Sequence, residues 1–206
     1  MDPVLPLGVG KGVTTIVLQS SYVFLACLLL AWLEVQIEGP HGWAKDLPTW
    51  REHPPWATDR NVFFRVVGAL FAWGSGGNRL TGYHAAMMSF LVVMSGMPLV
   101  LTAPSWPLFF ECAGYLAMMT VVWDFLWFVI NPAFGIRRFR PEHIAWHPRW
   151  WGPMPSAYPG GLALAACLLS LAHGPVLQSW TYGATAVAVE ALLTLAVIGI
   201  AEAVRR

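Results

Sequence analysis

Five runs of mainly apolar residues, separated by polar or proline-rich segments, dominate the sequence. They cover residues 14–33, 83–102, 106–130, 158–172 and 178–201. A helix needs roughly 20 mainly apolar residues to cross a bilayer, and only the run at 158–172 falls clearly short of that length. The pattern predicts an all-α fold, a polytopic transmembrane helical bundle of about five spans. Residues 1–206 would form a single integral membrane domain.

The segments that connect these runs differ in charge, and this difference predicts the orientation of the bundle. The links at 103–105 and 173–177 contain no Lys or Arg, whereas the segments 34–82 and 131–157 contain several. Lys and Arg concentrate in the cytoplasmic loops of membrane proteins. We therefore expect a multi-pass protein whose N-terminus lies outside and whose C-terminus is cytoplasmic.

Composition supports a membrane protein and excludes some alternatives. Hydrophobic residues make up 57% of the chain and charged residues only 11%, whereas about a quarter of a soluble domain is charged. The net charge of +1 argues against nucleic acid as a partner, because the chain lacks a broad basic surface. Most of the 12 Trp residues flank the apolar runs, as in the aromatic belts of membrane interfaces.

A sixth apolar stretch, at residues 61–73, is about a dozen residues long and contains Arg65. That length is too short for a span and favours an interfacial or re-entrant helix. We expect it to lie beside a structured layer of cytoplasmic loops.

The predicted orientation brings most of the histidines and several unusual carboxylates to one membrane face. They are Glu34 and Glu38 at the end of the first run, His41 and His53 in the segment after it, His84 at the start of the second run, Asp124 near the end of the third, and His143 and His147 in the loop that follows. These residues come from distant parts of the chain, so their convergence indicates a functional site at the cytoplasmic interface.

Asp124 is the strongest single signal, because aromatic residues flank it inside an apolar run. A carboxylate at the bilayer centre costs at least ~2.5–3.5 kcal/mol, so such residues usually face a partner or a cavity. Either a functional site or a structural partner, such as an Arg or a backbone donor, would account for it.

Two pairs of residues have a spacing that suits a metal ion. His143 and His147 are four apart, as are Glu34 and Glu38, and residues at that spacing share one face of a helix. Pro148 disfavours helical backbone at His147 and limits any helix there to about one turn. Imidazole and carboxylate together suit Zn²⁺ or Fe. Interfacial loop histidines and carboxylates paired with a Lys or Arg remain the alternatives.

The sequence contains no Walker A loop, dinucleotide fingerprint, H-E-x-x-H or G-x-S-x-G motif. The pair His143 and His147 superficially resembles one box of the membrane di-iron hydroxylases, but those enzymes carry several such boxes, and this chain has six histidines in all. Two further carboxylates, Glu111 and Glu190, fall inside spans away from the predicted site. Glu190 is expected to hydrogen-bond Gln19, Ser20 or Ser21.

The function that these features favour is a membrane-embedded metal-dependent enzyme, a hydrolase or an oxidoreductase, acting on a lipid or another hydrophobic molecule. The predicted ligands of a divalent metal, Zn or Fe, are His84, His143, His147, Asp124 and Glu34. The predicted catalytic residues are Asp124 and Glu38.

Three other functions fit the sequence less well. A non-catalytic subunit of a larger membrane complex, or a homo-oligomer, would use the Trp-rich loops as contact surface. A haem or pigment protein would use His84 and a loop histidine as axial ligands. A transporter is a fourth reading, although the chain has few spans and no visible internal repeat.

Overall fold

The computed structural model describes residues 12–40, 42, 62–74, 80–147 and 149–206. In these residues it contains six α-helices, one short 3-10 helix (Ile136–Arg138) and one short hairpin. The helices are α1 (Val13–Glu38), α2 (Val62–Gly74), α3 (Gly82–Leu101), α4 (Trp106–Ile130), α5 (Ala157–Leu171) and α6 (Val176–Val204). The strands β1 (Trp150–Trp151) and β2 (Met154–Pro155) pair antiparallel.

The predicted fold class is confirmed: most of the described chain is helical, and its long helices are membrane-like. Among the described residues, four helices are long and apolar enough to cross a bilayer, namely α1, α3, α4 and α6. Helix α5 is the fifth predicted run, and its 15 residues extend only ~22 Å at 1.5 Å per residue. The sequence and the structure together indicate an integral membrane protein.

Helix α4 forms the centre of the bundle. It carries apolar side chains on every face, as expected of a helix surrounded by other helices, with Glu111 and Asp124 as its two carboxylates, and α1, α3, α5 and α6 all pack on it. The outer faces of α3 and α6 instead expose large apolar side chains such as Val93 and Leu192. This pattern suits helices that lipid solvates from outside.

Glycines let the helices approach closely. A Cβ at Gly114 of α4 would lie 2.7 Å from Leu169 of α5, and one at Gly161 of α5 would lie 2.6 Å from Val121 of α4. A Cβ at Gly183 of α6 would overlap the carbonyl oxygen of Ala166. Small residues at helix contacts are the usual device of membrane bundles, where apolar burial contributes little between helices.

One end of the bundle is where α1, α4 and α6 finish and α3 and α5 begin, and we call it the site end. Asn131 links the ends of α4 and α1 there, because its side-chain amide donates to the Gly39 carbonyl (3.1 Å). Arg205, just after α6, donates to the carbonyls of Val129 (2.7 Å) and Asn131 (3.0 Å). These bonds satisfy carbonyls that the end of α4 leaves open.

Candidate functional site

A cavity of about 400 Å³ opens at the site end, and we call it the polar cavity. Its walls come from α1, α2, α3, α4, α5 and the loop after α4. Most of the lining is apolar, but six ionisable side chains reach it: Glu34, Glu38, His84, Asp124, His147 and Tyr158. A mainly apolar pocket with a few convergent polar groups is the usual form of a small-molecule site.

Three of these side chains form one group on the α1–α3 side of the cavity. One ligand atom from each of Glu34, Glu38 and His84 can be chosen so that all lie within 4.8 Å of one another. His84 Nε2 is 3.9 Å from Glu38 Oε1, and the two side chains are only 12% and 6% exposed. Glu34 is also buried. The two carboxylates therefore face each other on successive turns of α1, away from bulk water.

The backbone geometry of α3 fixes the position of His84. Thr81 is the N-cap of α3, and its hydroxyl accepts a hydrogen bond from the His84 backbone N–H (3.2 Å). The same hydroxyl lies 2.7 Å from His84 Nδ1. Thr81 therefore engages one ring nitrogen and leaves Nε2 facing the carboxylates of α1. Phe71 of α2 packs against the ring from another side, at a centroid distance of 5.5 Å.

The second group lies on the α4–α5 side of the same cavity. His147 Nε2 donates to Asp124 Oδ2 at 3.2 Å, and the Tyr158 hydroxyl donates to the same oxygen. The Asp124 side chain is still 40% exposed, whereas that of His147 is 10% exposed. Asp124 thus has two fixed donors on one oxygen and remains accessible from the cavity.

The loop after α4 holds His147 through aromatic packing rather than regular secondary structure. Trp146 stacks on Phe128 of α4, with centroids 5.8 Å apart and an interplanar angle of 17°. The Trp150 indole donates to the His147 carbonyl (2.6 Å). The His147 ring meets the edge of Tyr158 at 5.8 Å. Fixed neighbours on several sides restrict the imidazole to the orientation that meets Asp124.

Five of the six residues predicted from the sequence line this one cavity: Glu34, Glu38, His84, Asp124 and His147. His143 does not. It is exposed, and residues 141–147 form turns rather than the short helix that the spacing suggested. The i, i+4 argument therefore fails for the histidine pair, because it holds only on a helix. His41 and His53 lie outside the described residues.

Sequence reasoning missed two residues of the site. Tyr158 stands at the start of an apolar run, where an interfacial Tyr is common, and nothing local marks it as a partner of Asp124. Thr81 precedes a helix by one residue, which is a recognisable N-cap signal. That signal locates the start of α3 but does not reveal the contact with the imidazole.

The far half of the bundle contains a separate polar network. Gln19 donates to Glu111 (2.8 Å), and the Tyr182 hydroxyl donates to the Gln19 carbonyl oxygen (2.8 Å). The expected hydrogen bond from Glu190 to the polar residues of α1 is wrong: neither Glu190 oxygen has a hydrogen-bond partner within the described chain. Gln19 instead bonds Glu111 of α4 and Tyr182 of α6.

Models of known protein families, characterised proteins and solved structures were compared with this chain, and nothing in them matches it. A helical bundle by itself does not specify a function, so the chemistry of the polar cavity is the only guide to one.

Proposed function

We propose that this protein is a membrane-embedded, metal-dependent enzyme that acts on a lipid or a similar amphiphile at the site end of the bundle. The observation that carries the proposal is that Glu34, Glu38 and His84 lie together in one cavity of about 400 Å³. A separate group of Asp124, His147 and Tyr158 lines the same cavity. We favour hydrolysis of an ester, amide or phosphoester bond, because these groups suit activation of a water molecule.

Glu34, Glu38 and His84 are the proposed metal ligands. Three protein ligands of the His and carboxylate type, with further positions open to a cavity, are typical of catalytic rather than structural Zn²⁺ sites. Carboxylate and imidazole donors also suit Fe. With a proton on Nδ1, His84 would donate to Thr81 and present the Nε2 lone pair towards the carboxylates. Such an outer hydrogen bond is usual for histidines that bind metal.

A bound divalent ion would supply an activated water and polarise a carbonyl or phosphoryl oxygen of the substrate. Asp124 is the proposed general base, because one oxygen is fixed by two donors while the carboxylate stays accessible from the cavity. His147 and Tyr158 orient Asp124 and are placed to return a proton to the leaving group. Acid–base catalysis of this kind typically contributes 10²–10⁴-fold to a rate.

We also propose that the site end faces the cytoplasm. Arg137, Arg138 and Arg140 lie in the loop at this end, and Arg205 and Arg206 follow α6 there. The positive-inside rule then puts the N-terminal end of α1 outside. Cysteine labelling with a membrane-impermeant maleimide, of Glu142→Cys at one end and Gln178→Cys at the other, tests this arrangement.

The first experiment is metal analysis of the protein purified in mild detergent and equilibrated with Zn²⁺ or Fe²⁺. The wild type is expected to retain about one ion per chain, as a single three-ligand site requires. Glu34→Gln and His84→Gln should lose the ion. Asp124→Asn should keep it, and so should the control Glu142→Gln, which neutralises an exposed carboxylate at the same end.

A panel of lipid esters, amides and phosphoesters then tests catalysis with the same proteins. Activity should disappear in Glu34→Gln and in Asp124→Asn, and it should persist in Glu142→Gln. A wild-type protein that retains no metal would overturn the metalloenzyme. Co-purification of a stoichiometric partner in that case would favour the non-catalytic subunit instead.

A further inference from the structure

A second cavity, of about 660 Å³, lies between α1, α3 and α4, and we call it the apolar groove. Both α1 and α3 pack on α4 but pack little on each other, so a cleft remains between them. Its walls are mainly aliphatic and aromatic. The polar pair Gln19 and Glu111 lies at the far end, where the two side chains hydrogen-bond each other.

The groove adjoins the polar cavity on all three helices that form it. On α4, Met119 lines the groove and the next residue, Thr120, lines the polar cavity. On α1, Leu30 lines the groove one turn before Glu34. The lining therefore changes from ionisable to apolar within about one helical turn, ~5 Å. An amphiphile has the same division along its length.

The length of the groove matches a lipid chain. Its α4 wall runs from Leu108 to Met119, which is ~17 Å at 1.5 Å per residue. The hydrocarbon core of a bilayer is ~30 Å thick, so the chains of one leaflet reach ~15 Å. The groove is also open to the bilayer, because Tyr22 on α1 and Phe90 on α3 are 75% and 53% exposed. A chain can thus enter sideways without leaving the membrane.

We infer that the apolar groove binds one hydrocarbon chain of the substrate while the polar head lies in the polar cavity. The inference rests on the proposed function in that it names the substrate class, a long-chain amphiphile, for the same site. Binding of the chain itself depends only on shape and apolar contact, so it is measurable without metal or turnover.

The test uses palmitic acid with a diazirine near its methyl end, photolysed with the full-length protein in detergent micelles, and the labelled residues are mapped by mass spectrometry. Labelling is expected at groove residues of α1 and α3, such as Tyr22 and Met97. Ala26→Phe fills the groove from α1 and should reduce that labelling about tenfold, equivalent to ~1.4 kcal/mol of binding free energy. Leu29→Phe, on the exposed face of the same helix, should not.

A second pair of variants distinguishes filling of the groove from a folding defect. Met94→Trp fills the groove from α3, and Val93→Trp adds the same ring on the exposed side. Thermal unfolding identifies any variant that is merely unstable. Labelling spread evenly over outward residues such as Val93 and Leu192, and unchanged by either filling variant, would show lipid solvation only and overturn the inference.

The Glu34→Gln variant separates the two proposals. If it loses metal but keeps groove labelling, both the metal site and the chain site are supported. Groove labelling in a wild-type protein that binds no metal would support the chain site and overturn the metal-dependent function. With an active wild type, Ala26→Phe should also shift the preferred substrate from hexadecanoyl towards octanoyl esters. An unchanged chain-length preference would overturn the role of the groove in substrate choice.

Discussion

One hydroxyl, that of Thr81, both caps α3 and contacts the ring of His84. It accepts from the His84 backbone N–H at 3.2 Å and lies 2.7 Å from Nδ1. The start of a membrane helix and the orientation of a candidate metal ligand therefore depend on the same atom. Any change that removes the Thr81 hydroxyl should affect both properties, although to different extents.

Thr81→Val, which keeps the shape and removes the hydroxyl, is expected to weaken metal binding 10–100-fold, the usual effect of losing an outer hydrogen bond to a ligating histidine. Loss of the cap should also cost ~1 kcal/mol of stability. Competition with a chromophoric chelator measures the first effect and thermal unfolding the second. Thr81→Ser keeps the hydroxyl and should restore most of both. Equal metal affinity in all three proteins would contradict the role given to Thr81.

Tyr158→Phe tests the hydrogen bond to Asp124 with the loss of a single oxygen. The ring packing against Phe139 and His147 should survive, so stability should change little. We expect unchanged metal content and a fall in kcat of at least about tenfold, because general acid–base groups usually contribute 10²–10⁴-fold. Tyr182→Phe, which removes a phenol oxygen that donates to Gln19 in the other half of the bundle, provides the matched control for loss of a hydrogen-bonded phenol. Full activity in Tyr158→Phe would remove Tyr158 from the site.

His143 and His147 offer an internal comparison, since the sequence alone treats them as one pair. His147→Ala should lower kcat strongly, because it removes a donor to Asp124 and opens an aromatic pocket. His143→Ala should leave metal content and kcat unchanged, because His143 is exposed and does not line the cavity. Metal analysis and initial rates of the two variants show which histidine belongs to the site. Loss of metal in His143→Ala would revive the original assignment of both histidines as ligands.

Gly183 should be the most sensitive glycine for the stability of the bundle. Any side chain there meets the backbone of Ala166, which cannot move without separating α5 from α6. We expect Gly183→Ala to lower Tm by several degrees, as overpacking usually costs about 1–3 kcal/mol. Gly199→Ala lies on the same helix with open space around it and should leave Tm the same or slightly higher. Equal Tm values for the two variants would show that α5 and α6 are not closely packed there.

Arg205 should stabilise the site end, since its guanidinium donates to two carbonyls at the end of α4. Hydrogen bonds from charged groups contribute about 1.5–3 kcal/mol. Arg205→Ala should therefore lower the unfolding temperature measurably, whereas Arg206→Ala, at an exposed Arg, should not. Gly135→Ala should act in the same direction, because Gly135 has φ +66°, which L side chains rarely adopt, and a Cβ there would also displace the end of the Arg205 side chain. A stable Arg205→Ala protein would mean that these carbonyls are satisfied by other donors.

Sequence reasoning located the helices and most of the ionisable residues that line the polar cavity, for physical reasons that act locally. The hydrocarbon core offers the backbone no hydrogen-bond partners, so spanning segments form long apolar helices. Apolar runs of about 20 residues can therefore be recognised from the sequence alone. Ionisable residues are costly in such runs, so Asp124 and Glu34 stand out from their neighbours. The alternating direction of successive spans then assigns them to one end of the bundle.

Only the tertiary structure shows which of these side chains contact one another. Sequence spacing placed His143 beside His147, but the loop after α4 forms turns, and only His147 is packed towards Asp124. Tyr158 and Thr81 carry no local signature of their contacts, because these depend on how α5 and α3 pack against α4. The apolar groove exists because α1 and α3 both pack on α4 but pack little on each other. A one-dimensional pattern determines which residues avoid lipid, whereas side-chain packing between distant segments determines which of them meet.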